Sequence, residues 1–494
     1  MTEQSKAPDD TRYTVKTPYG RRAVALSIAA AVGGFLFGFD SSVINGAVDA
    51  IDANFELGAA LTGFIVAVAL LGCALGAVVA GNLSDRWGRL RVMMIGAVMF
   101  FASSVGSALT FSPWDLVVWR IIGGIGIGIA SVVAPAYIAE IAPRQIRGSL
   151  ASLQQLAITL GIFAALLSDA VLANVAGGAS AQFALGLEAW RWMFLVGVVP
   201  AAVYGILAFT MPESPRYLLT RGRKEEAQKI FARLVPKDDL DRAVRDIQTA
   251  IDEDKKNANA SLRGKAFGLH PIVWVGIILS VFQQFVGINV IFYYSTSLWK
   301  AVGFSESDSL LVSVITSVTN VLVTIVAIVL VDRVGRKPIL LSGSLLMTLS
   351  LGAMALSFSF AQGSGDDVSL PGVWGPVALV AANLFVVGFG ASWGPLVWVL
   401  LGEIFPSRIR AKALGVAAGA QWIANFLVTV TFPPLSEFSL TFTYGMYAAL
   451  ALLSFLYVWK KIPETNGMEL EQAETLFADS DKAKAKAKAD KARA

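Results

Sequence analysis

With one cysteine and one histidine in 494 residues, this chain has little material for several kinds of chemistry. Cys73 stands alone inside an apolar stretch, so no intrachain disulfide can brace the fold. His270, at the edge of another apolar stretch, supplies neither a zinc set nor a hydrolytic triad. A Walker loop is also missing. Gly123-Gly-Ile-Gly-Ile-Gly128 has some look of a dinucleotide loop, but it lies in apolar sequence with no soluble strand before it. Charge is scarce: Asp, Glu, Lys and Arg make up 15% of the chain against 55% hydrophobic residues, and the mean hydropathy is +0.63. A soluble globular domain is excluded, and the bilayer is the expected solvent. Residues 1–20 hold no apolar core ahead of a small-residue cleavage site, so no cleaved signal peptide is expected and the first span inserts itself.

What is present is long apolar sequence. A span needs about 20 apolar residues. Twelve stretches qualify: 22–46, 60–81, 90–111, 114–138, 149–174, 190–211, 270–298, 309–331, 338–360, 373–401, 411–432 and 440–461. The net charge of +4 says little, but its distribution is informative. Arg12, Lys16, Arg21, Arg22, Arg86, Arg89, Arg91, Arg144, Arg147, Arg333, Arg336, Lys337, Arg408, Arg410 and Lys412 fall before span 1 or in the even-to-odd connections. The opposite loops hold Asp49, Asp52, Glu56, Asp115, Asp366, Asp367 and Glu437, with Lys300 almost alone among cations. The positive-inside rule puts both termini in the cytoplasm of a multi-pass plasma-membrane protein.

One charged phrase occurs twice, about half a chain apart. Asp85-Arg86-Trp-Gly-Arg89 is answered by Asp332-Arg333-Val-Gly-Arg336. After one more pair of apolar segments, each copy is followed by a glutamate with an arginine seven residues on: Glu140 with Arg147, and Glu403 with Arg410. Such a duplication predicts two homologous six-helix halves, 22–211 and 269–461, that rock about a binding site between them. Residues 212–268 form a polar linker in which 224–234 and 240–251 carry apolar residues at helical spacing, predicting short amphipathic helices under the membrane. Residues 1–21 make a cytoplasmic lead. Residues 462–494, ending in alternating lysine and alanine, make a tail expected to be mostly disordered, its lysines suited to anionic lipid. Small-residue pairs at Gly34/Gly38, Gly72/Gly76, Gly124/Gly128 and Gly415/Gly419 predict close helix contacts.

Two polar sets lie within the spans. Asp40 is in span 1, and Arg120 opens span 4 on the side that Asp40 approaches. A carboxylate at that depth is normally paired or functional, so a proton acceptor and a permanent salt bridge both stand. Gln154, Gln155, Gln283, Gln284, Asn289, Asn320, Gln421 and Asn425 form the second set. It is accompanied by Phe282, Phe285, Tyr293, Tyr294, Trp393, Trp398 and Trp422. Amides donate and accept at once, as sugar hydroxyls do, and flat rings suit the apolar face of a sugar. A single amide also serves as glue between helices.

In these residues the chain resembles the sugar porters of the major facilitator superfamily, over about 22–467. The markers are the two Asp-Arg-x-Gly-Arg runs, Pro212-Glu-Ser-Pro-Arg216, Gln283-Gln-x-x-Gly-Ile-Asn289, Trp393-Gly-Pro-x-x-Trp398 and Pro463-Glu-Thr-Asn-Gly467. The resemblance implies an all-α membrane fold of twelve helices in two pseudo-symmetric halves, with short cytoplasmic helices between them. It implies a sugar site at Gln155, Gln283, Gln284, Asn289, Asn320, Trp398 and Gln421, and proton coupling at Asp40 and Arg120. A cytoplasmic latch would comprise Asp85, Arg86, Arg89, Glu140, Arg147, Glu213, Arg216, Asp332, Arg333, Arg336, Glu403, Arg410 and Glu464. Span 5 has Ile162 where some xylose-type porters place a glutamine. The run around Asp40 resembles actinobacterial glucose permeases. The expectation is a monomeric proton–hexose symporter in the bilayer, glucose first. It is not an enzyme, and no cofactor, metal or nucleic acid is expected. A pentose or inositol symporter and a non-transporting sugar receptor are the alternatives.

Overall fold

The computed structural model describes residues 17–143, 146–257, 261–362, 369–406 and 408–465. Of the charges counted above, Arg12, Lys16, Arg144, Asp366 and Asp367 lie outside the described residues, as does the tail from residue 466.

The first six spans are α1 (Pro18–Phe55), α2 (Ala59–Trp87), α3 (Arg89–Ala108), α4 (Pro113–Ile141), α5 (Arg147–Ala176) and the pair α6 (Ala189–Val196) and α7 (Val198–Thr210). The linker follows as α8 (Pro215–Thr220), α9 (Lys224–Leu234), α10 (Leu240–Asn257) and the short strand β1 (Arg263–Ala266). The seventh span is α11 (Pro271–Phe285) with α12 (Ile288–Tyr293), and α13 (Ser295–Lys300) comes next. The last five are α14 (Glu306–Val334), α15 (Arg336–Phe358), α16 (Trp374–Gly390) with α17 (Trp393–Ile404), α18 (Arg410–Phe438) and α19 (Leu440–Lys461). Among the described residues, twelve helices are long and apolar enough to cross a membrane, matching the twelve expected spans. Their outer faces carry Val78, Val98, Phe209, Leu349 and Ile423 exposed, an apolar surface that water would not tolerate.

Local sequence explains the helix starts. Thr17 caps α1, its Oγ1 accepting from Gly20 N at 3.1 Å with Pro18 in the first turn. Ser112 does the same for α4 and Ser305 for α14, each with acidic residues in the first turn where the helix dipole favours them.

Close packing follows three of the four predicted glycine pairs. A Cβ on Gly124 or Gly128 would strike the backbone of Ala69 or Cys73, and one on Gly72 or Gly76 would strike that of Ile121 or Ile125. Thus α2 and α4 interlock glycine against backbone. Gly34 and Gly38 do the same against Gln154 and Ile158 of α5. Gly415 and Gly419 depart from the expectation, with open space within 4 Å of where a Cβ would be. Both linker helices form as expected, although α10 runs on to Asn257; α8 and β1 are additions. The linker sits under the first half, where Arg22 Nη1 donates to Arg233 O at 3.5 Å.

The bundle thus has a linker end and an opposite, far end. The halves are tied together at the far end. Asn45 Oδ1 on α1 accepts from Thr296 N on α13 at 3.0 Å. Asp49 accepts from Ser297 Oγ at 2.5 Å and Lys300 Nζ at 2.8 Å. Burial opposes the Lys300 ammonium, but the Asp49 charge outweighs it and raises the lysine above its usual range. Glu306 on α14 accepts from Ala179 N at 2.8 Å, and Ser307 Oγ donates to Asn174 on α5 at 2.8 Å. α2 also approaches α18 so closely that a Cβ on Gly63 would lie 2.6 Å from Val430 O.

Candidate functional site

Asp40 and Arg120 meet within the first half. Arg120 Nη1 donates to Asp40 Oδ1 at 3.2 Å, with the two residues 2% and 6% exposed. Gly123, a turn along α4, keeps the place open: a Cβ there would run into Ser103. Beside the pair is a small recess, lined among others by Phe37, Ser41, Cys73 and Tyr293. Tyr293 comes from the second half and interacts with Ser41 and Asn425. Phe37 turns its edge to Trp422 of α18, ring centroids 5.6 Å apart at 82°. The charged pair therefore borders the interface between halves.

The amides cluster around two helix breaks. At the break between α16 and α17, Gln283 Nε2 donates to two carbonyls of the first turn of α17, Trp393 O at 2.9 Å and Gly394 O at 3.3 Å. Gln283 Oε1 is buried without a partner. The gap between α11 and α12, where Gly287 has φ 83°, folds Asn289 back so that its Nδ2 donates to Gln284 Oε1 at 2.6 Å. A side chain at Gly287 would meet both the left-handed backbone and the Tyr447 ring. Gln154 Oε1 and Gln421 Oε1 are likewise buried and unpaired. Asn320 is buried, its Oδ1 3.3 Å from where a Cβ on Gly390 would be. Gln155 is half-buried, and Trp398 is 41% exposed. Buried amide oxygens without partners are costly unless something binds them, which is what a site for hydroxyl-rich ligands offers. Two of the expected aromatics serve packing instead. Trp393 is fully buried with its Nε1 donating to Ser344 Oγ at 2.7 Å, and the Tyr294 hydroxyl donates to Thr429 O at 3.0 Å.

Seven of the thirteen expected latch residues form one assembly in each half. In the first, Arg89 grips Glu140 through Nε at 3.0 Å and Nη2 at 2.8 Å, while Nη1 reaches Ser84 O and Asp85 at 3.0 Å. Glu213 accepts from Arg89 N at 3.0 Å and Leu90 N at 3.4 Å, and Ser214 donates to Glu140. In the second, Arg336 holds Glu403 at 3.1 and 2.9 Å. Glu464 accepts from Arg336 N at 2.9 Å and Lys337 N at 3.0 Å, and Thr465 donates to Glu403 at 2.5 Å. Gly88 and Gly335, which begin these turns, have the same φ 97° and ψ 161°. The duplication extends to the backbone angles. Glu464, an expected latch residue, and Thr465 lie in the segment 462–494 expected to be mostly disordered, and both are docked parts of the second assembly. Arg410 Nε donates to Phe405 O at 3.0 Å, and Arg86 is exposed. Arg216 lies on α8 beside the first assembly. The side chains of Arg147, Asp332 and Arg333 lie outside the described residues.

Sequence reasoning missed Asn45, which ties the halves, and Asp169, a second carboxyl buried in the membrane part of the first half. The signal for Asp169 was present, since it is the only acidic residue in 149–174.

A family model described as sugar (and other) transporter matches residues 26–477. The chain belongs to that family, the sugar porters of the major facilitator superfamily. A glucose transport protein of Synechocystis is 50% identical over 470 residues, covering 95% of this chain and 99% of the relative. The D-xylose-proton symporter of Escherichia coli K12 is 39% identical over 486 residues, covering 92% and 95%. Among solved structures, the E. coli xylose transporter XylE in a partially occluded inward open conformation superposes with TM-score 0.78 at 36% identity, covering 90% of this chain and 99% of that one. The protein is thus a membrane sugar transporter of twelve helices in two halves, and not an enzyme.

Proposed function

We propose that this chain imports a hexose, glucose first, together with protons, by rocking its two halves about a central site. The Asp40–Arg120 pair carries the reading, because it is buried in one half and bordered by Phe37 and Tyr293, which reach the interface. A proton arriving at Asp40 Oδ1 neutralises it and releases Arg120, so the occupancy of this pair is coupled to how the halves meet. Sugar hydroxyls bind Gln155, Gln283, Gln284, Asn289, Asn320 and Gln421, and the exposed indole of Trp398 covers the ring. The identity to a glucose transport protein supports glucose. A pentose is the second reading, supported by the xylose relative.

By the charge distribution, the linker end is cytoplasmic and the far end faces outward, with both termini on the cytoplasmic side of the plasma membrane. With the halves tied at the far end, we infer an inward-facing state. The two charged assemblies, including Arg147, Asp332 and Arg333, come together across the halves when the cytoplasmic end closes. Each chain works as a monomer.

Uptake into proteoliposomes tests this with a panel of labelled sugars, with and without an inward proton gradient. Glucose should accumulate only with the gradient, and Asp40→Asn should abolish accumulation while leaving sugar exchange intact. Accumulation by that variant at the parent's level removes Asp40 from the coupling. Preference for xylose replaces the hexose reading with the pentose one.

A further inference from the structure

Asp169 has no role in the scheme above. It lies about two turns from the far end of α5. The residue is 0% exposed, and Asp169 Oδ2 accepts from Gly46 N on α1 at 3.2 Å. Among the described residues Asp169 Oδ1 has no hydrogen-bond partner. Gly46 makes the contact possible, since a Cβ there would lie 2.6 Å from the Asp169 Cβ. The carboxyl therefore rests directly on the α1 backbone.

Among the described residues no cation pairs with it, and the charges nearest it on the packed elements are engaged elsewhere. On α1, Asp40 is tied to Arg120 of α4, and Asp49 is tied to Lys300. On α14, Glu306 takes the Ala179 N–H and Asp308 bonds to Ser305. On α6, Arg191 is paired with Glu188. An ionised carboxylate held by one hydrogen bond, away from water and cations, is strongly disfavoured against the neutral acid.

The cover over Asp169 is also the seam that must part. Gly46 adjoins Asn45, which takes its hydrogen bond from Thr296 of the other half. Along this seam Ser42 Oγ, Asn45 Nδ2, Ser295 Oγ and Thr296 Oγ1 are buried without partners, so water is the natural visitor once α13 moves away.

We propose that Asp169 is a second proton-binding site, occupied while the far end is closed and emptied when it opens. On opening, the Asp169 O–H bond breaks and the proton passes to water as hydronium; on closing, the carboxylate takes a proton back. Proton binding here favours the far-end-closed state, with or without sugar and whatever Asp40 does. The ratio of far-end-open to far-end-closed protein should then rise by up to about tenfold per pH unit, the limit for one linked proton.

The test uses the full chain in lipid nanodiscs without sugar, in a Cys73→Ser, Asp40→Asn background with Ala53→Cys and Ala301→Cys carrying spin labels. Pulsed electron–electron distances across the far end are followed over roughly pH 5 to 9. The open population should grow with pH, and adding Asp169→Asn, which keeps an acceptor for Gly46 N–H, should flatten the response. Protonation of Asp49 or Glu306 would open the far end as pH falls, so the sign separates them from Asp169. A flat response before Asp169 is changed, or an unchanged slope after, overturns the proposal. Should the Asp169→Asn chain fail to fold, infrared spectra of the parent background decide: lack of a protonated carboxyl stretch at neutral pH overturns it equally.

Discussion

The two ends of this molecule use charged side chains differently. At the linker end, Arg89 and Arg336 are buried and multiply bonded, and the pairs they form with Glu140 and Glu403 each close within one half. At the far end, Asp49 and Lys300 join the two halves, yet their side chains are 35% and 38% exposed. A half-exposed pair contributes about 0.2–1 kcal/mol, whereas leaving one member of a buried pair unpartnered costs about 3–5 kcal/mol. In this state the linker-end charges are therefore bonded within each half. The far-end contacts are weak enough to break in every cycle, as a carrier that alternates between two closures requires.

The strongest way to break this comparison is to remove the buried arginines. Arg89→Ala strands Glu140 and also removes the bonds to Ser84 O and Asp85; Arg336→Ala strands Glu403. Each should lose about 3–5 kcal/mol of stability in detergent, read by thermal unfolding of purified protein. Asp49→Asn should lose under about 1 kcal/mol in the same assay. Equal losses at the two ends would mean that burial does not separate their roles.

A finer probe uses the repeated glycines. Gly88→Ala and Gly335→Ala each place a side chain at φ 97°, with its Cβ against the carboxylates of Glu213 and Glu464 respectively. The backbone strain alone costs about 1–3 kcal/mol. Because the two turns share both angles, the two losses should agree. Melting curves that differ widely between the variants would show that the halves are alike in sequence only.

Much of this was legible in the sequence because membrane proteins write their fold as composition and repetition. The twelve spans, the linker helices and the interlock of Gly72 and Gly76 with Gly124 and Gly128 follow from apolar length and small-residue spacing. Spacing along one helix does not say which neighbour that face meets, and so Gly415 and Gly419, with the same pattern, lie against open space. It likewise did not separate Trp393, locked onto Ser344, from the exposed Trp398, since both stand in one motif. Glu464 follows the last span, and only the family resemblance marked it as a latch residue. Only folding brings it to the N–H groups of Arg336 and Lys337, where a helix start lacks acceptors. Asp169 was visible as a charge in the wrong solvent, but its lack of a counter-ion is a fact of three dimensions.

The smallest expected effect sharpens the contrast most, because it separates stability from state. Lys300→Met keeps the length and apolar stem of the side chain and deletes the charge that reaches Asp49. In the proposed rocking cycle the contact exists only while the far end is closed, so its loss would raise the energy of that state alone. A difference of about 1 kcal/mol changes the ratio of two states about fivefold, and a shift of that size towards far-end-open is the expected ceiling. Unfolding temperature should move little, since Asp49 is left half in water with Ser297 still donating to it. Spin labels at Ala53→Cys and Ala301→Cys read the population directly, and the melting curve of the same sample reads stability. A large drop in melting temperature with no change in the distance distribution would place Lys300 among the groups that hold a half together, and the far end would lose its distinct character. A shifted distribution at constant melting temperature is what a breakable clasp between rocking halves must give.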